Sequence, residues 1–152
     1  MNAENEIPRP DEQDSTKSSR RHGIGRVLAV LLAGAIALVG GFVNGSNYGG
    51  NYAPDLSFLG SPGYEGGALM GGMVAAVTIL LIAGLSIGLQ RRGVAALSTV
   101  GALAGIVLVP PMLFPSIAPS EALFALSYIG SGVVGALIGT AIGALVFSPR
   151  GQ

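Results

Sequence analysis

The chain has no cysteine, one histidine and few charges: only 11% of its 152 residues are Asp, Glu, Lys or Arg, against roughly 25% in an average soluble domain. Without thiols there are no disulfides, no thiolate nucleophile and no cysteine metal site, and the redox compartment is unreadable. His22 stands beside Arg20 and Arg21 with no ligand spacing around it, so no metal site is expected. Gly-x-Ser-x-Gly occurs in letters only, as Gly84-Leu85-Ser86-Ile87-Gly88 inside an apolar block with no strand before it, and neither Ser86 nor Ser131 in Gly130-Ser131-Gly132 has a histidine to activate it. The Gly-rich stretch after Val43 lacks the Lys-Ser/Thr pair of a phosphate cradle. No catalytic, cofactor-binding or metal residue is assigned, no cofactor is implied, and the reading is that the protein is not an enzyme. Net charge is zero, so the overall balance implies no nucleic-acid partner.

What the chain does contain is apolar sequence in uncharged blocks. Half of the residues are hydrophobic, and the blocks lack the charged face that helices of a soluble bundle carry. A helix needs ~20 such residues to cross the hydrocarbon core. Four spans are expected, at about 24–43, 67–89, 94–109 and 122–147, within a transmembrane domain covering 23–148. Residues 1–22 are polar and acidic and read as a disordered tail. Residues 44–66, punctuated by Gly, Asn, Ser and Pro, read as a long loop, 90–93 as a tight turn and 110–121 as a second loop. Pro110 and Pro111 are expected to end or kink the third helix near Val109. The fold class is therefore an all-α integral membrane protein, four helices in a Gly-rich up-down bundle. The long polar lead-in and the lack of an Ala-x-Ala site after Val43 favour an uncleaved first helix over an export signal.

The basic residues suggest the orientation. All of them lie in the amino-terminal region ending with Arg20, Arg21 and Arg26, in the Arg91-Arg92 turn, or at Arg150. By the positive-inside rule both termini and the 90–93 turn face the cytoplasm, as an even number of crossings requires. A multi-pass protein of a cell (inner) membrane follows, and arginine outnumbering lysine seven to one fits a GC-rich bacterial source. Tyr48, Tyr52 and Tyr64, with the acids Asp55, Glu65 and Glu121, then fall on the outer side. They form a candidate docking surface for an envelope or membrane protein, or for lipid headgroups, beside the ordinary role of interfacial anchors.

Small residues recur at every fourth position: Ser131, Gly135, Gly139 and Gly143, and the pairs Gly41/Gly45, Gly67/Gly71, Gly84/Gly88 and Gly101/Gly105. On a helix this spacing gathers them on one face, where another backbone can approach. The fourfold run resembles the glycine-zipper pattern of some oligomeric channels and assembly factors, a resemblance of motif and not of family. Gly84, Gly88, Gly101, Gly105, Ser131, Gly135, Gly139 and Gly143 are the expected helix-packing positions. The functional expectation is an accessory or scaffold subunit that presents its aromatic outer loop to a partner. The alternative is a homo-oligomeric channel or small permease built on the fourth helix.

Overall fold

The computed structural model describes residues 10–116 and 120–147. Four helices follow one another: α1 Pro10–Asn51, α2 Gly63–Leu89, α3 Arg92–Leu113 and α4 Glu121–Val146, with a 3-10 turn at Phe114–Ser116. A minimal antiparallel hairpin joins α1 to α2, its strands β1 Ser57–Phe58 and β2 Ser61–Pro62. The shortest helix has 22 residues, about 33 Å of rise against roughly 30 Å of hydrocarbon. All four are long and apolar enough to cross a membrane.

Burial runs opposite to that of a soluble bundle. Away from one end, where Tyr48, Phe114, Phe124 and Tyr128 are buried, the interior is made of small or polar residues such as Ala37, Ala75, Ser98 and Ala102, with Ile79 and Ile106 between them. Leu28, Leu32 and Val39 on α1, Leu81 and Leu85 on α2, Leu108 on α3, and Leu137 and Leu145 on α4 point outward. In water such a surface would drive aggregation; in lipid the surroundings are as apolar as leucine, and packing alone selects what lies inside. The protein is a multi-pass membrane bundle.

The glycines decide which helices pair. α1 packs along α2, and α3 along α4. In the first pair Gly41, Gly45 and Gly49 face Gly71, Gly67 and Gly63; a Cβ on Gly45 or on Gly67 would lie under 3.0 Å from the other's carbonyl oxygen. In the second, Gly101 and Gly135 oppose each other in the same way, Gly105 meets the Ser131 carbonyl, Gly139 the Leu97 carbonyl, and Gly143 the backbone of Val94. Gly84 and Gly88 differ from the expectation: a Cβ on either would meet nothing within 4 Å. Their spacing matches that of the seams, but no helix of this chain lies over them.

Three helix boundaries differ from expectation. α1 continues through residues 44–51, which composition had suggested as loop. The polar side chains there bond within the helix, Ser46 Oγ donating to Phe42 O at 2.9 Å and Asn51 Nδ2 to Asn47 Oδ1 at 2.6 Å. Gly45 and Gly49 serve close approach rather than a turn, so tertiary packing overrides their low propensity. At the other end, residues 1–9 of the expected tail lie outside the described residues, whereas 10–22 continue α1. Pro10 suits the first helical position, and extension from an existing helix needs no new nucleus.

The third difference concerns the prolines. α3 runs through Pro110 and Pro111 to Leu113. Pro111 has no N–H to give the carbonyl of Val107, four residues earlier. Asn44 of α1 supplies the donor instead, its Nδ2 lying 2.9 Å from Val107 O. A neighbouring helix thus satisfies the acceptor that proline frees, which is how membrane helices tolerate this residue.

Serines add a small cross-helix ladder. Ser86 Oγ and Ser98 Oγ are 3.1 Å apart, and Ser98 Oγ also donates to Ala136 O at 3.3 Å, tying α2, α3 and α4 together. Interhelical hydrogen bonds average about 0.6 kcal/mol in membranes. Ser98→Ala should therefore lower stability by about that amount in reversible unfolding from bicelles.

Candidate functional site

The chemically varied end of the bundle is built on a cluster of rings. Tyr48, in the last turns of α1, stacks on Phe124 with centroids 4.5 Å apart and tilts against Phe114 at 4.9 Å. Phe124 meets Tyr128 edge-on at 5.1 Å. Such pairs contribute about 0.5–1.5 kcal/mol each beyond area burial. Their polar ends are used as well. Ser120, the residue before α4, donates its N–H to Tyr48 Oη at 3.3 Å, and Tyr128 Oη donates to Gly41 O at 3.4 Å. These contacts join α1, α3 and α4 into one frame.

The α1–α2 connection lies over that frame as a folded cap. The backbone N–H groups of Tyr52 and Ala53 both donate to Tyr48 O and close α1. Leu56 N–H then bonds Ala53 O at 3.0 Å, and Gly63 N–H bonds Leu56 O at 2.6 Å. Ala53 and Leu56 are buried beneath it. The hairpin turns at Leu59 and Gly60, with φ of 53° and 83°. Two central residues at positive φ are what a type I′ hairpin turn requires, a place where Asn-Gly is the favoured pair. Glycine meets that demand without strain. Leucine does not, and its side chain is 75% exposed, so burial does not offset the cost.

The residues expected to form a docking surface separate into two groups here. Tyr48 is fully buried at 0% exposure and belongs to the core, a correction that follows from its lying on a helix face and not in a loop. Tyr52, Asp55, Tyr64, Glu65 and Glu121 are exposed. Asp55 and Glu121 line one hollow of about 270 Å³ between the cap and the start of α4, whereas Glu65 does not line it. Glu65 and Glu121 each stand in the first turn of a helix, where a carboxylate favours the dipole. Among the described residues no three His, Cys, Asp or Glu side chains come together as a metal site.

Comparison with protein-family models, with curated proteins and with solved structures found no match. Geometry must therefore carry the functional reading. Ser131, Gly135, Gly139 and Gly143 are covered by α3 of the same chain. Of the residues expected to set topology, Arg26, Arg91 and Arg92 are exposed. Arg20 and Arg21 belong to α1, and Arg150 lies outside the described residues. Sequence reasoning missed Gly49, Gly63, Asn44 and Leu59. The Leu59-Gly60 step, followed by Ser61-Pro62-Gly63, was the local signal of a turn there.

Proposed function

We propose that this protein is a non-enzymatic accessory or scaffold subunit of a membrane assembly, and that the cap around Leu59 is the surface its partner meets. The single observation that carries the reading is Leu59 itself: a large apolar side chain, three-quarters exposed, held at positive φ on the tip of an otherwise bonded cap. Strain of this kind, about 1–3 kcal/mol, tends to gather at functional sites. Tyr64, 63% exposed in the first turn of α2, adds a second large side chain at this end of the bundle. In this proposal the arginine end faces the cytoplasm and the cap faces outward. Arg26 and Arg92 border one groove, whereas no Lys or Arg among the described residues borders the hollow at the cap, the asymmetry that positive-inside topology favours. The channel alternative loses its motivating surface, because the fourth helix spends its glycine face on α3.

A photo-crosslinker placed at Leu59 or Tyr64 in native membranes is expected to give one discrete protein adduct, and the same group at Leu108 none. Lipid adducts alone from all three positions would contradict a protein partner. Leu59→Asn supplies a residue that accepts the turn conformation, so it should raise stability by about 1 kcal/mol while abolishing the adduct.

A further inference from the structure

The arginine end carries a second feature, independent of the cap. The amino-terminal half of the α1 span and the first turns of α3 diverge and leave a groove of about 620 Å³, within the ~300–1,000 Å³ of ligand pockets. Its walls are formed by apolar residues such as Ala33, Val100 and Leu103, with Thr99 among them donating its hydroxyl to Ala95 O, and its other polar lining is Arg26, Gln90 and Arg92. An apolar trough with two guanidinium groups at its mouth has the polarity of a phospholipid: chain below, phosphate above. Gln90 is tied to α4, its Nε2 donating to Thr140 Oγ1 at 3.3 Å.

We infer that this groove binds one anionic phospholipid, its phosphate on Arg26 and Arg92 and an acyl chain between α1 and α3. Arginine suits the task because its planar fork pairs with phosphate oxygens in a bidentate manner. A zwitterionic lipid would set its own ammonium against the two guanidinium groups.

The test uses the full chain in mixed bicelles or nanodiscs, with native mass spectrometry and a fluorescent phosphatidylglycerol probe competed by phosphatidylcholine or phosphatidic acid. One phosphatidylglycerol is expected to be retained per chain, displaced at least tenfold less readily by phosphatidylcholine. Arg26→Gln with Arg92→Gln should weaken retention roughly 30-fold, about fivefold for each arginine. Ala96→Phe, which fills the groove from α3, should block retention, with the helical circular-dichroism signal confirming a folded chain. Equal retention of phosphatidylcholine would overturn the inference. So would full retention by the double arginine variant, or a cross-link between two chains through a cysteine placed at Val100.

Discussion

Gly67→Ala or Gly135→Ala is expected to cost about 3 kcal/mol or more, the upper range for overpacking a filled interior. Each new Cβ would sit under 3.0 Å from a backbone carbonyl of the facing helix, Gly45 O or Gly101 O. A flexible side chain could move aside, but a backbone cannot move without separating the two helices along the whole seam. The matched controls are Gly84→Ala and Gly130→Ala, where a Cβ meets nothing within 4 Å. These should cost nothing and gain up to about 1 kcal/mol from helix propensity. Reversible unfolding in bicelles separates the two sets. Equal effects at seam and open glycines would mean that the helices do not meet along these faces.

The second large effect is expected at Asn44. Asn44→Leu keeps the side chain's size but removes the donor to Val107 O, leaving a carbonyl unsatisfied next to proline in an apolar interior. The expected loss is about 1–3 kcal/mol. Pro111→Ala returns a backbone N–H at the position that Val107 O would ordinarily bond. In the double variant, therefore, the asparagine should matter less, with a coupling energy of about 1 kcal/mol or more in a double-mutant cycle. Additive losses would show that Asn44 stabilises the fold by some route other than this carbonyl.

These two cases also mark where the sequence was legible. The four spans were readable because charge is excluded from hydrocarbon whatever the fold, so an uncharged block announces itself locally. The ends of those spans were not, because the deciding contacts are distant. Pro110-Pro111 looks like a helix end until Asn44, 63 positions away, is placed against Val107. Gly45 and Gly49 look like turn formers until Gly67 and Gly63 lie opposite them. Glycine spacing has the same weakness: Gly84/Gly88 and Gly101/Gly105 read alike, and only the position of a neighbouring helix distinguishes lipid-facing from packed. Tyr48 was misjudged with its segment, since a tyrosine in a supposed outer loop is a surface group, whereas one on the last turns of a helix can point inward. Leu59 carried no helical or strand period, and its meaning depends on a backbone angle that composition does not contain.

The central claim is that one chain folds two glycine-seamed helix pairs against each other, and the absence of cysteine makes it directly testable. A Cβ at position 72 would lie 3.6 Å from Phe42 Cβ, and one at position 40 would lie 3.7 Å from Val107 Cβ, both within the usual ~3.5–4.5 Å of a disulfide. Oxidising the pairs Phe42→Cys/Gly72→Cys and Gly40→Cys/Val107→Cys in membranes should give monomers cross-linked within the chain, while Gly84→Cys/Gly130→Cys stays reduced. Unlinked monomers at the first two pairs, or dimers joined between chains, would contradict the account.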